Sequence, residues 1–554
     1  MRELKRHEVG GLPLLHRLAE RLGLRRLLER FVRSHGNDQV PVVDTLLLIV
    51  YNLARGKEPL YELPAWVESI DCRAIARPEL AVEKFNDDRF ARALDRLYEA
   101  DRASLMTEVT IAVIHLFRLD LSRIHNDSTT VKACGHYSLQ PSGSGLSLEN
   151  GHSKDHRPDL KQLVFNLSLC GDGAVPIHHK VYPGNRNDDT IHIETWQTLC
   201  EITGKRDFLY IADSKLCTDA QLDHIVHHGG RVVTIIPNTW SEVAAFKEKL
   251  RSARKPRHEI WRRNKPNDPQ KTEYFSAYSG CHRTHKRGYC IHWIHSSEKR
   301  KHDRSTRNER LDKAEHALME LTGRLNMRNL KTREAIEAAA EKIVREHKVT
   351  GLLRITIATS RESYRVQIGR GRPGKHTQYE EHVREICTLT WVRDLDALRR
   401  EAGADGVFPL LCTDPDLTAR QALQAYKYQP RLEKRFSQFK SIHQAAPLLF
   451  KKIERIEANA FLFFIALILQ SLMEREVRNH MNEQGLQALA LYPEQRPANR
   501  PTTNKILDRF ERVSTYSILE DGEVVEQFRD QLTETQRSVL RCLGMSEDDY
   551  WSPR

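Results

Sequence analysis

The chain has 554 residues, of which 40% are hydrophobic, and its formal net charge is +12. This length is too great for one hydrophobic core and indicates two to four domains. The hydrophobic content is sufficient for globular packing. A basic balance of this size favours a polyanionic partner, and nucleic acid is the first candidate.

Three features argue against a membrane or secreted protein. The longest apolar run near the C-terminus, FLFFIALIL at 461–469, is half of what a membrane span needs. The N-terminal sequence MRELKRHEVGG lacks the apolar core of a signal peptide. The ten cysteines are scattered without a CxxC pair, which is typical of reduced thiols. We therefore expect a cytoplasmic, nucleoid-associated protein without membrane contact.

Residues 1–115 show the apolar spacing of helices. The apolar run at 40–53 ends at Ala54-Arg55-Gly56, Lys57-Glu58-Pro59 breaks it, and a third helix is expected from about Leu60. Two interpretations remain open for this N-terminal helical domain. It has only a packing role, or it is a module that binds DNA ends.

The pattern changes from helical to strand-like near residue 120. Asp127 stands at the end of the first predicted strand, and Asp213 directly follows the fourth. Three strands, a helix, a strand, a helix and a strand indicate a mixed α/β sheet, which we assign to residues 116–238. The predicted strands cover 121–127, 163–169, 175–181, 208–212 and 232–236.

Residues 239–405 have a different, more basic character. Between 281 and 310 the chain carries nine Lys or Arg against three acids, a net charge of +6. A solvated face is the usual meaning of such a run, but a second basic run at 251–265 favours phosphate contacts, with Lys299, Arg300 and Lys301 as candidates. A charged helix or helix pair is expected at 307–347, followed by two strands. These strands are at 352–358 and 364–368, before the basic loop GRGRPGK at 369–375.

Residues 406–475 again show the apolar spacing of strands and helices that pack in a core. A strand at 407–411 precedes YKYQPRLEKRFSQFK at 426–440, in which Leu432, Phe436 and Phe439 recur at helical spacing around Glu433. Two geometries remain open for this stretch. Either one helix carries Tyr426, Glu433 and Lys440 on one face, or Pro430 starts the helix near Gln429 and Tyr426 lies in the loop before it. An apolar helix at 453–473 follows. The mixed, polar residues 476–554 form a C-terminal region with a candidate role in oligomerisation.

Three acids stand out by position: Asp127, Asp213 and Glu433. In an RNase H-like topology the first and fourth strands are neighbours and the late helix packs across them, so these acids would converge. Three carboxylates at one sheet end repel one another unless a dication binds between them. Hard oxygen ligands select Mg²⁺, with Mn²⁺ as a substitute.

At this point the sequence resembles a known family, the bacterial insertion-sequence transposases of the DDE class with a Tyr-x2-Arg-x3-Glu-x6-Lys signature. Here the signature reads Tyr426, Gln429, Glu433 and Lys440, with Gln in place of Arg and Arg431 nearby. Four further segments resemble the family: RGKEPLYELPAWVESID at 55–71, HNDSTTVKACGHY at 125–137, the block at 151–190, and YIADSKL at 210–216. The resemblance covers most of residues 1–475.

The resemblance implies an RNase H-like mixed-sheet catalytic core, 116–238 and 406–475, interrupted by an insertion domain, 239–405. It implies a transposase that binds terminal inverted repeats, cuts DNA at the ends and joins the 3′-hydroxyls to target DNA. Asp127, Asp213 and Glu433 would hold two Mg²⁺ ions, and the paired-end complex implies a homodimer. Tyr426, Gln429, Arg431 and Lys440 would lie at the DNA. A tryptophan of the insertion domain stacks on a flipped base in relatives, with three candidates here: Trp240, Trp261 and Trp293.

Two other functions remain open. One is a DNA-binding protein without catalysis, a regulatory derivative, which the presence of all three acids argues against. The other is a nuclease of RNase H-like fold that acts on other substrates. Cleavage without strand transfer would favour the nuclease.

Overall fold

The structure is a computed structural model that describes residues 2–36, 38–56, 58–132, 143, 145–151, 160–186, 191–265, 268–280, 282–438 and 452–553. The chain forms two compact units. Unit 1 comprises residues 1–234 and 424–554, and unit 2 comprises residues 235–423. We expected an insertion domain over 239–405, within unit 2. The N-terminal helices belong to unit 1 and do not form a compact unit of their own.

Unit 1 begins with one strand and six α-helices. The α3 helix ends where the sequence predicts, because Gly56 adopts a left-handed conformation at φ +68° and closes the helix. Asn86 and Asp101 cap α5 and α6 by accepting hydrogen bonds from backbone N–H groups of the first turn. The elements are β1 (Arg2–Glu8), α1 (Leu12–Arg21), α2 (Leu24–Phe31), α3 (Val42–Arg55), α4 (Leu63–Ser69), α5 (Asp87–Glu99) and α6 (Arg102–Leu116).

Five strands of a mixed sheet follow in unit 1. Its elements are β2 (Arg123–Lys132), β3 (Gln162–Cys170), β4 (Pro176–Pro183), α7 (His192–Thr203), β5 (Leu209–Ile211), α8 (Asp219–His227) and β6 (Arg231–Ile235). The strand order is β4-β3-β2-β5-β6. The pairs β4–β3 and β3–β2 are antiparallel, whereas β2–β5 and β5–β6 are parallel. The predicted α/β class and the predicted order of elements are confirmed.

The first strand differs from its predicted bounds. Asp127 was expected at a strand end, but β2 continues to Lys132 and pairs with β3 from Ile124↔Cys170 to Lys132↔Gln162. The polar run SerThrThr at 128–130 is buried in the sheet. A polar but buried strand half does not show the apolar pattern that marks strands in a sequence, which explains the early end in the prediction.

Unit 2 combines an antiparallel sheet with a helical layer. Its elements are α9 (Ser241–Ser252), β7 (Arg257–Lys265), β8 (Asp268–Tyr278), β9 (Cys290–Ser296), α10 (Ser297–Thr322), α11 (Arg333–Glu346), β10 (Leu353–Gln367), β11 (Tyr379–Arg393), α12 (Leu395–Ala402), β12 (Val407–Cys412) and α13 (Ala419–Tyr426), which ends in unit 1. The sheet order is β12-β9-β8-β7. The two strands predicted at 352–358 and 364–368 are one continuous strand, β10, which pairs with β11 in a separate two-stranded ribbon.

The expected helix pair is present as α10 and α11. Its buried stripe contains Leu311, Leu318 and Leu321 of α10 and Ile336 of α11. These side chains form one apolar core with the base of the β10–β11 ribbon. Burial of this stripe holds the two charged helices against the ribbon.

The C-terminal part completes unit 1. Its elements are α14 (Pro430–Ser437), α15 (Ile453–Glu483), α16 (Thr503–Phe510), β13 (Ser514–Glu520), β14 (Glu523–Arg529), α17 (Glu534–Cys542) and α18 (Glu547–Trp551). β13 pairs with β1 at the other end of the chain, from Arg2↔Glu520 to Glu8↔Ser514. The sequence pattern did not reveal β1, because a strand formed mostly of charged residues depends on its distant partner.

The core of unit 1 is organised around α15. This helix is ten residues longer than predicted, since it runs to Glu483 and not Met473. By length and composition alone it could cross a membrane, but 94% of its most apolar window is buried inside the structure. It packs against α1, α3 and α5 on one side and β4 on another. Such burial is the pattern of a core helix.

Candidate active site

Two of the predicted acids belong to neighbouring parallel strands, Asp127 within β2 and Asp213 just beyond the end of β5. In the pairing of β2 with β5, His125 lies opposite Ile211. Asp127 and Asp213 are each two residues further on. Because side chains alternate with a period of two, continuing the register places both acids on the same face of the sheet. Both side chains are half-buried.

Local hydrogen bonds orient the two carboxylates. The backbone N–H of Ser128 donates to Asp127 Oδ1 at 2.8 Å. Asp213 accepts from the N–H of Lys215 at 2.9 Å and so caps the short helical turn Ser214–Leu216. The Thr234 hydroxyl donates to the Asp213 carbonyl at 2.6 Å, which ties this turn to β6.

The stretch predicted as one helix at 426–440 is divided by a turn. Tyr426 is the last residue of α13, and α14 begins at Pro430. Proline has no N–H to donate to the Tyr426 carbonyl, and the N–H of Gln429 donates to it instead at 3.0 Å. Tyr426 and Glu433 therefore lie on different helices. The interpretation in which Pro430 starts the helix is confirmed, but Tyr426 ends a preceding helix and does not lie in a loop.

Gln429 joins α14 to the first strand of the sheet. Its side chain is buried, and its amide nitrogen donates to the Asn126 carbonyl, next to Asp127, at 3.1 Å. The Asn126 amide in turn donates to the Asn166 oxygen and to the Ser168 hydroxyl, both at 2.9 Å. The resemblance places Gln429 at the DNA, and this stays a prediction. In the structure its amide nitrogen is used inside the protein, where it connects α14 to β2.

A buried ion cluster fixes α14 against α15. We call it the Glu474 cluster; it contains Glu474, Arg435, Arg478 and Lys434. Arg435 and Glu474 each have side chains only 2% exposed and lie 3.2 Å apart. Glu474 also pairs with Arg478 at 2.9 Å and with Lys434 at 3.7 Å.

Further hydrogen bonds extend the Glu474 cluster to other elements. The N–H of Thr503, at the start of α16, donates to Glu474 at 3.1 Å. Arg435 also donates to the carbonyls of Gly173 and Ala174, at 3.3 and 3.2 Å, in the turn between β3 and β4. Gly173 has φ +77°, and a Cβ there would lie 2.9 Å from Arg475 on α15, so this turn requires glycine. The cluster thereby positions the helix that carries Glu433.

The Glu474 cluster sets one carboxylate against three cations. Burial alone would raise the pKa of Glu474, but the charges of Arg435, Arg478 and Lys434 and the N–H of Thr503 lower it to about 2. A buried ion pair with good geometry and additional hydrogen bonds is stable only while both partners are present. Removing either partner therefore exposes the full desolvation cost of the other.

The pKa of the Tyr426 phenol is affected by all three predicted acids. The pKa of Tyr426 is raised above its ordinary value, first by burial and then by the charges of Asp213, Asp127 and Glu433. The structure thus brings the three carboxylates within electrostatic reach of one side chain. A phenol with a raised pKa stays protonated and can donate a hydrogen bond to an anion.

The three carboxylates do not form a compact ligand set in this arrangement. Glu433 is exposed on α14. Among the residues that the structure describes, no three His, Cys, Asp or Glu side chains are grouped closely enough to hold a metal ion. The set is nevertheless made entirely of carboxylates, the donors that Mg²⁺ prefers.

The remaining predicted DNA-binding residues differ in their burial and in their partners. Arg431 is half-buried, and its guanidinium lies over the Tyr428 ring at 5.9 Å; burial and then the charge of Arg500 lower its pKa. Lys440 lies outside the described residues. Lys299 and Lys301 pair with Asp303 and Glu298 of their own helix, each at 2.9 Å.

In the same basic run of unit 2, Arg300 is exposed and lines a cleft of about 750 Å³. Basic side chains dominate this cleft: Arg251, Arg254, Lys255, Arg257, Arg300 and Arg399. Two of the three tryptophan candidates are half-buried, Trp240 and Trp261. The third, Trp293, is 2% exposed and stacks on Phe246 at 4.0 Å between ring centroids, so it belongs to the core.

One family model and one solved structure are each similar to a part of this chain. A family described as a domain of unknown function (DUF4277) matches residues 4–111. No curated protein matches the chain. A cryo-EM structure of the piggyBac transposase synaptic complex with hairpin DNA is similar over 51% of this chain, at 11% identity and a TM-score of 0.27. The matched region spans 60% of that transposase chain.

The first prediction concerns the buried ion cluster. Glu474→Gln leaves the buried guanidinium of Arg435 without a counter-charge, and we expect a loss of about 3–5 kcal/mol in the free energy of unfolding. Urea unfolding followed by circular dichroism measures this loss. The control is Asp508→Asn, which breaks the exposed pair with Lys505 at 2.9 Å and should cost below about 1 kcal/mol. Equal effects of the two variants would contradict the assigned role of Glu474.

The second prediction concerns the stability of the protein at acidic pH. The pKa of Glu474 lies at about 2 in the folded protein, against an ordinary 4.5. Its stabilisation is therefore complete above about pH 4.5 and is lost as the pH falls toward about 2. The difference in unfolding free energy between the wild type and Glu474→Gln should shrink over this interval. A difference that stays constant from pH 6 to pH 3 would show that the charge of Glu474 does not contribute.

Proposed function

We propose that the protein is a DNA transposase with an RNase H-like catalytic core. The observation that carries this proposal is the position of Tyr426, whose phenol is acted on by Asp127, Asp213 and Glu433 together. These are the three acids that the family resemblance implies as metal ligands. The strand order supports the proposal, because the first and fourth strands of the sheet are adjacent and parallel.

In this proposal the carboxylates are the ligands of Mg²⁺, for which Mn²⁺ can substitute. The charges of three carboxylates all act on the half-buried Tyr426 phenol, and such a set of negative charges favours the binding of a cation. When bound, the metal supplies Lewis-acid activation of a water or 3′-hydroxyl for attack on the phosphodiester. Asp127 and Asp213 are held by backbone hydrogen bonds, and Glu433 is the ligand whose side chain is exposed.

The other side chains would bind and orient the DNA. Tyr426 keeps its proton and can donate it in a hydrogen bond to a phosphate oxygen near the acids. Arg431 and Lys440 would contact the backbone of the cut strand, with Lys440 acting as a point charge. The substrates would be the terminal inverted repeats and the target DNA. Two ends must be held together, so the working complex would be at least a homodimer.

A third prediction tests the acids. Asp127→Asn, Asp213→Asn and Glu433→Gln should each abolish cleavage of inverted-repeat DNA in Mg²⁺, because each removes a metal ligand, and should leave binding of the same DNA intact. Cleavage and gel-shift assays measure the two activities. Ca²⁺ should support binding but little chemistry, since its coordination is longer and looser.

The matched control for Glu433 is Glu201→Gln, another exposed helical glutamate of unit 1, which should cut like the wild type. A variant of the three acids that cuts normally would remove that residue from the metal site. Products in which the 3′-hydroxyl is joined to target DNA distinguish a transposase from a nuclease. Binding without metal-dependent cutting by the wild type would favour the regulatory derivative.

A fourth prediction tests the basic run of unit 2. Each phosphate contact adds about 0.9 to the slope of log affinity against log salt on duplex DNA. Replacing Lys299, Arg300 and Lys301 together by alanine should make that slope shallower, and Arg300→Ala should account for most of the change, because the two lysines already pair with acids of their own helix. Arg300→Lys keeps the charge and should keep the slope. An unchanged slope in the triple variant would assign the run to a solvated face.

A further inference from the structure

A long two-stranded ribbon extends from the core of unit 2. β10 and β11 pair over fifteen positions, from Leu353↔Arg393 to Gln367↔Tyr379, without a register shift. The base of the ribbon is anchored by buried Leu353, Cys387 and Leu389. From residue 358 to residue 385, all residues except Gln367, Thr377 and His382 are exposed. At about 3.4 Å per residue, residues 358–367 extend for about 34 Å.

The positive charge of the ribbon is concentrated at its tip. In the paired strands, cations face acids across the ribbon: Arg384 lies 2.6 Å from Glu362, and Arg361 lies 3.8 Å from Glu385. The tip, residues 368–378, contains Arg370, Arg372 and Lys375 and no acid. Within the described part of the chain, none of these three cations has an ion pair or a side-chain hydrogen bond.

The tip is ordered by hydrogen bonds that do not involve its cations. The N–H of Ile368 donates to the Gln378 carbonyl at 2.9 Å, and the N–H of Gly374 donates to the Thr377 hydroxyl at 2.7 Å. The Gln367 amide donates to the Gly371 carbonyl at 3.0 Å. The loop is therefore closed by its backbone and by short polar side chains, while its cations point to no protein partner.

The tip of the ribbon is narrow because glycines without side chains occupy several of its positions. Gly371, between Arg370 and Arg372, has φ +137°, a conformation that side chains disfavour, and a Cβ added there would meet nothing within 4 Å. Gly369 and Gly374 are equally open to solvent. A backbone without side chains between two arginines can approach a surface closely. The strands below the tip carry larger side chains, such as Tyr364 and Val383, and are wider.

We propose that the tip of this ribbon is a DNA-binding arm that places Arg370 and Arg372 in the minor groove of A·T-rich duplex DNA. The minor groove is about 6 Å wide, which admits the glycine-rich tip but not the strands. In A·T-rich DNA this groove is narrower and its negative potential is stronger, and both features attract arginine. This inference rests on the proposed function only in taking DNA as the partner. It involves none of the three acids Asp127, Asp213 and Glu433.

The experiment compares two duplexes of equal length, one of A·T pairs and one of G·C pairs, by fluorescence anisotropy with the full chain. Chelator is present, so that no metal-dependent step contributes. We expect the wild type to bind the A·T duplex about tenfold more tightly, equivalent to one well-discriminated base contact. Arg370→Ala with Arg372→Ala should reduce this ratio to about 1. Replacing both by lysine should keep most of the affinity but lose most of the preference, because an ammonium is more strongly hydrated.

The matched control is Arg361→Ala with Arg365→Ala, which removes two charges from the exposed strand of the same ribbon. This variant should keep the preference for the A·T duplex. A minor-groove ligand such as netropsin should compete with the wild type on the A·T duplex. Thermal unfolding of the tip variants should match the wild type, since their side chains have no protein partners.

Three results would overturn the inference: a wild type without preference, an unchanged ratio in the tip variant, or an equal loss in the control. Weaker binding of the tip variant to both duplexes with an unchanged ratio would indicate phosphate contact alone, and it would also overturn minor-groove placement. These outcomes are independent of cleavage. A protein that fails to cut but keeps the A·T preference would contradict the proposed function and leave the arm intact.

Discussion

The arrangement of the candidate site depends on one buried carboxylate. Glu474 lies on the central helix α15 and neutralises Arg435 of α14, while Arg435 also donates to the turn between β3 and β4. One ion pair thereby connects the core helix, the sheet and the helix that carries Glu433. An unpaired buried charge has a large desolvation free energy. The positions of the paired side chains therefore depend on one another. The geometry of the site follows from this constraint more than from any helix propensity.

The second constraint is the proline that divides the signature stretch. Pro430 cannot continue the hydrogen bonding of α13, so the chain makes a turn and starts a new helix. At that turn Gln429 reaches the carbonyl next to Asp127. Gln429, which stands where the resembling family has arginine, thus uses its amide nitrogen for a hydrogen bond inside the protein. A spacing motif of this kind constrains distances along the chain, whereas the division into two helices decides which side chains share a face.

Much of the sheet could be predicted from the sequence, because its strands are short apolar runs separated by clear turns. Gly56 closes α3 and Gly171-Asp172-Gly173 joins β3 to β4 as the local chemistry of glycine requires. The position of Asp127 within its strand could not be predicted, because buried polar residues follow it. Glu474 gave no signal either, since a carboxylate just after the apolar stretch 453–473 has the pattern of a solvated residue until its distant partners are known. Burial of polar groups depends on contacts between remote segments, which local patterns do not encode.

The distribution of charge separates two tasks within a basic chain. The net charge of +12 is not spread evenly, since cations collect in the cleft and the ribbon tip of unit 2, whereas the charges of Asp127, Asp213 and Glu433 all act on the Tyr426 phenol of unit 1. Long-range attraction of a polyanion would fall to the cations, and a phosphate would be repelled from the acids until a cation offsets them. In the proposed function, affinity for DNA and access of the scissile phosphate to the acids are therefore governed by different residues. That separation is why the acids and the cations can be altered independently, and why a protein could lose cutting while it keeps binding.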